Sequence, residues 1–85
     1  MTSQIYAQKN LYTYFMKVFS ERLKKLIKEE GITAYRVAKI VGVSNQCVLN
    51  WLDERNEPKI SYLVKLADYF NVSCDYLLGR ADYTQ

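Results

Sequence analysis

Near the middle of the chain, two short amphipathic segments are separated by almost nothing. The first, AYRVAKIV (34–41), places Val37, Ala38 and Val41 on one helical stripe. Gly42 stops it, because glycine adopts the left-handed backbone conformation at little steric cost. One residue, Val43, then precedes Ser44, whose hydroxyl can accept an orphan amide at the start of a new helix. The second segment, NQCVLNWL (45–52), follows at once. Helices joined by so short a turn cannot lie antiparallel; they must cross steeply.

The surrounding sequence predicts further helices. A first firm helix is expected from Ser20, acting as cap, with Leu23, Leu26 and Ile27 on its apolar stripe and Gly31 at its end. Thr33 is placed to cap the second. Residues 53–59, DERNEPK, form a polar loop closed by Pro58. A fourth helix is expected over Ser61–Phe70, with Leu63, Leu66, Ala67 and Phe70 inward and Asn71 as C-cap. Ser73 caps a short fifth helix that Gly79 ends, and ADYTQ reads as a loose tail. Residues 1–15 carry three tyrosines and a single charge, Lys9; helical spacing improves only from Leu11 through Phe15, Val18 and Phe19. The division that follows is 1–17 as an N-terminal arm or added helix, 18–79 as the compact domain and 80–85 as a tail.

Composition narrows the class. A chain of 85 residues has room for one modest core. Three glycines and one proline are few for hairpin-joined sheets, so an all-α chain is expected. The net charge of +3 is mildly basic, but its distribution is uneven. Between Lys17 and Lys39 seven basic residues stand against Glu21, Glu29 and Glu30, whereas Asp53, Glu54 and Glu57 surround Arg55. With no histidine and only two distant cysteines, Cys47 and Cys74, a metal site lacks ligands; no cofactor is expected. Reduced cysteines suit a cytoplasmic setting. No apolar stretch is long enough for a membrane span, and no signal-peptide pattern opens the chain. No nucleophile–base pair or phosphate-cradling loop suggests an enzyme.

Residues 20–79 resemble the Cro and phage-repressor type of helix-turn-helix domain. The matching runs are SERLKKLIKEEGIT, AYRVAKIVGVSNQCVLNW, NEPKISYLVKLADYFNVS and DYLLG. A small residue (Ala38), a turn glycine (Gly42), a cap (Ser44) and two inner apolar residues (Val48, Trp51) fall in register together. The resemblance implies a compact five-helix bundle of the lambda-repressor-like type, here with an N-terminal extension. It also implies a sequence-specific regulator that binds double-stranded DNA, with residues 45–52 as its reading helix.

If Val48 and Trp51 face inward, Asn45, Gln46, Leu49 and Asn50 lie outward as candidates for base reading. Amides suit the adenine edge and an apolar side chain suits a thymine methyl. Candidates for phosphate contact are Thr33, Arg36, Lys39, Ser44, Arg55 and Asn56. The lysines of the first helix, Lys24, Lys25 and Lys28, read as solubilising. Two features depart from the family: Ala34 stands where glutamine is frequent, and the reading helix has no Arg or Lys. Both weaken binding per subunit, so a homodimer on half-sites about one helical turn apart is expected. Tyr76, Leu77 and Tyr83 are candidates for its surface; the N-terminal tyrosines compete, as a second dimer surface or a groove-reaching arm.

Two functions remain open. One is a transcriptional regulator of phage, mobile-element or bacterial origin that represses by occupying a promoter. The alternative is a protein-interaction module or antitoxin on the same fold, with residues 1–15 as the segment that meets a protein partner.

Overall fold

The computed structural model describes the backbone of residues 2–82 and the side chains of residues 13–82. Five helices follow in order: α1 (Thr2–Glu30), α2 (Ala34–Val41), α3 (Asn45–Leu52), α4 (Ile60–Phe70) and α5 (Cys74–Leu77). No strand occurs among the described residues. The described residues are therefore all-α and five-helical, as expected.

The largest correction to the sequence reading concerns α1. It does not begin at Ser20 but runs unbroken through that position. Neither glycine nor proline occurs between Thr2 and Glu30, so nothing in the backbone forces a stop. Ser20 is no cap: it is fully buried, and its Oγ donates a 2.5 Å hydrogen bond to the Trp51 carbonyl. Met16, Phe19, Leu23 and Leu26 recur at helical spacing and form the buried stripe of α1. Phe19 meets Trp51 edge to face, with ring centroids 6.3 Å apart. Trp51 in turn contacts Tyr62 of α4 at 6.0 Å.

The inner helices end as their sequences direct. Thr33 and Ser44 each accept an amide three residues on, capping α2 and α3. Gly42 takes the left-handed conformation (φ 90°), and the amides of Gly42 and Val43 both return to the Ala38 carbonyl. Lys65 of α4 reaches the Val41 carbonyl at 3.3 Å, closing the same end from outside. Helix α4 starts at Ile60, one residue before the expected Ser61, with no side-chain cap bond. Asn71 ends it in the left-handed region, and Ser73 caps α5.

The C-terminal end required two more corrections. Tyr76 and Leu77, expected at an exposed patch, are buried at 4% and 0% exposure. Helix α5 is only one turn long, and it closes the end of the bundle against α1 and α4 with these two side chains. They are not available on the surface. The stretch after Gly79 is not loose in its described part: Arg22 donates to the carbonyls of Tyr76 and Ala81 and pairs with Asp82 at 3.5 Å. Its guanidinium lies 4.4 Å from the centroid of the Tyr76 ring. Tyr83 lies outside the described residues, as do the side chains of residues 1–12.

Candidate nucleic-acid interface

The α2–turn–α3 unit is held rigidly from behind. Val48 and Trp51 are 0% and 1% exposed, and Val37, Ala38 and Val41 bury the facing stripe of α2. A small side chain at Ala38, 2% exposed, allows the close approach of the turn, whose two amides bond back to its carbonyl. The Ser20 bond fastens the last turn of α3 to α1. The backbone of α3 is thus fixed at its N-terminus by a cap and near its C-terminus by a buried hydroxyl.

What this scaffold presents outward is largely uncharged. Asn45, Gln46 and Leu49 are exposed and Asn50 is half-buried. Gln46 Nε2 donates to Asn50 Oδ1 at 3.0 Å, one helical turn away. An amide has two donor hydrogens and one acceptor oxygen. The pair therefore keeps the Gln46 carbonyl and both Asn50 N–H groups free, a joint acceptor and donor array on one face. Adenine offers a matching pattern in the major groove, with N7 accepting and N6 donating.

Gln46, Leu49 and Asn50 line a shallow depression together with Arg55 and Asp53. Asn45 lies in the first turn of α3 and outside that depression, as does Asn56 in the loop. The other phosphate candidates are dispersed. Thr33 and Ser44 serve as caps, each with its hydroxyl hydrogen still free to donate. Arg36 and Lys39 are exposed on α2, and Lys39 Nζ sits 5.3 Å from the centroid of the Tyr35 ring. Arg55 is engaged: its Nε pairs with Asp53 Oδ2 at 2.7 Å.

The depression has one member that sequence reasoning set aside. Lys24, read as a solubilising residue, lines it from α1. Its spacing in α1 marks it only as outside the apolar stripe; the packing of α1 on α3 brings it beside the amides. Elsewhere, Cys47 and Cys74 are partly buried free thiols. No metal-binding group and no helix long and apolar enough to cross a membrane occur among the described residues.

Comparison with known proteins identifies the family. Residues 23–77 match the helix-turn-helix family. The transcriptional regulator ImmR of Bacillus subtilis is 31% identical over 65 residues, 76% of this chain and 51% of that protein. YonR of the same organism, described as SPbeta prophage-derived, is 34% identical over 61 residues, 72% of this chain and 56% of its own length. The chain thus spans about half the length of the curated relatives it matches. Among solved structures, a transcriptional regulator from Listeria innocua superposes with a TM-score of 0.69 at 34% identity, covering 79% of this chain and 60% of that one. The SOS-response transcriptional repressor LexA from Eubacterium rectale gives 0.72 at 33% identity, covering 75% and 68%. The register of caps, turn glycine and inner apolar residues, the five-helix fold and the family match over 23–77 agree: this chain belongs to the helix-turn-helix family.

Proposed function

We propose that the chain is a transcriptional regulator that binds double-stranded DNA by laying α3 in the major groove. The observation that carries this reading is the Gln46–Asn50 amide pair on the outer face of a helix whose inner face is locked by Val48 and Trp51. A rigid helix with outward amides has the form required for direct readout. The relatives named as transcriptional regulators support the same reading. Asn45, Gln46, Leu49 and Asn50 read bases; Thr33, Arg36, Lys39, Ser44, Arg55 and Asn56 contact the backbone. Binding at a promoter represses by excluding polymerase. Because α3 has no cation, two copies on paired half-sites are needed to double the contacts.

Selection of ligands from a pool of random duplexes, followed by sequencing at two salt concentrations, tests the reading. The expected result is an enriched palindrome whose affinity falls steeply with salt through counterion release. Weak binding without enrichment overturns it.

A second reading, a protein-interaction module or antitoxin on this fold, is favoured by two observations. Ala34, partly buried against the core, has no amide to offer a phosphate, and the reading helix carries no positive charge. Loss of a protein partner on removing residues 1–15, with DNA binding unchanged, is the outcome expected of an interaction segment there.

A further inference from the structure

The geometry points to Lys24 as a DNA-phosphate contact supplied from α1 to the reading face, and this rests on the DNA-binding reading above. The need for it is electrostatic. Helix α3 contains no Arg or Lys, and residues 53–57 of the loop behind it set Asp53, Glu54 and Glu57 against Arg55, with Lys59 only beyond Pro58. An acidic border of that kind repels a polyanion within a Debye length, roughly 8–10 Å at ordinary salt. Arg55, the cation within that acidic stretch, is paired with Asp53 at 2.7 Å.

Lys24 is differently placed. It is exposed, it lines the same depression as Gln46, Leu49 and Asn50, and no ion pair holds it among the described residues. A flexible ammonium at the rim of an amide-lined depression can meet a phosphate beside the groove while the amides meet base edges within it. Lys25, the next residue of α1, is also exposed but lies outside the depression. The two lysines therefore carry the same charge on the same helix, both exposed, and differ in position.

That difference supplies the test. Duplex binding by the full chain, Lys24→Gln and Lys25→Gln is measured over a salt series, on the duplex enriched by the wild type and on a scrambled one. One lost phosphate contact lowers the slope of log K against log salt by about 0.9. The expected result is that loss in Lys24→Gln alone, equal on both duplexes, with sequence preference and melting temperature unchanged. Equal losses in both variants reduce the effect to net charge and overturn the assignment. No loss in Lys24→Gln overturns it as well, as does a changed sequence preference, which makes Lys24 a base reader. If the wild type itself binds neither duplex, the DNA-binding reading fails and this inference falls with it. A wild type that binds normally beside an unaffected Lys24→Gln sinks the inference alone.

Discussion

Ser20 and Trp51 are joined by a 2.5 Å hydrogen bond from the serine Oγ to the tryptophan carbonyl, deep between α1 and the end of α3. The Glu54 amide also donates to this carbonyl, at 3.2 Å. The acceptor therefore retains one partner if the hydroxyl is removed. Ser20→Ala is expected to lower stability by about 1 kcal/mol, the net worth of one buried hydrogen bond. Denaturant unfolding monitored by Trp51 fluorescence measures it; no change in stability means the bond contributes nothing.

The amide pair on α3 leads to a different outcome. Gln46 and Asn50 are tied to each other at 3.0 Å and fill no part of the core. Gln46→Ala with Asn50→Ala is expected to weaken binding to the preferred duplex by about 1–3 kcal/mol, while nonspecific binding and melting temperature stay close to wild type. Fluorescence anisotropy on matched and scrambled duplexes separates the two. Binding as tight as wild type by the double variant refutes the base-reading role of this pair.

Asp53 offers a gain of affinity. It holds Arg55 at 2.7 Å beside the proposed DNA face, and both side chains are about two-thirds exposed. An exposed pair of this kind stabilises the fold by less than about 1 kcal/mol. Asp53→Asn frees the guanidinium and removes a charge that repels phosphate. Tighter duplex binding, by roughly two- to fivefold, is expected with a steeper salt dependence. Unchanged or weaker binding places Asp53 and Arg55 away from the DNA.

Gly79 closes the C-terminal end in a conformation with φ 78°, and a Cβ there would lie 2.8 Å from Val18 Cγ1. Gly79→Ala meets two obstacles, the left-handed backbone and the flank of α1. Together they are expected to cost about 2–4 kcal/mol. Thermal unfolding is the measurement, and a variant as stable as wild type shows that α1 and the last turn separate easily. Gly42 is a useful contrast. It also has a positive φ, but a Cβ added there would have no neighbour within 4 Å, so its replacement by alanine is expected to cost less.

Much of this protein was legible along the chain because the relevant physics is local. Thr33, Ser44 and Ser73 cap the helices that follow them, since a short hydroxyl side chain reaches an amide two or three residues ahead. Gly42 and Asn71 end helices through backbone conformations that their residue types tolerate. The inward positions of Val48 and Trp51 were implied by the resemblance and fit helical spacing, and the outward amides followed from them.

Packing between distant segments governed the rest. Ser20 looked like a cap because a cap needs only a hydroxyl before an apolar stripe, but its bond goes to a carbonyl 31 residues away. Tyr76 and Leu77 have the composition of a contact surface, yet a one-turn helix must use both to close the bundle. Arg22 and Lys24 stand two residues apart as ordinary charges in α1. The fold directs Arg22 to the tail carbonyls and brings Lys24 to the depression beside Asn50. Local rules set where α2, α3 and α5 start and which face is apolar; which charges become neighbours depends on how the helices cross, and that follows from the side chains they bury against one another.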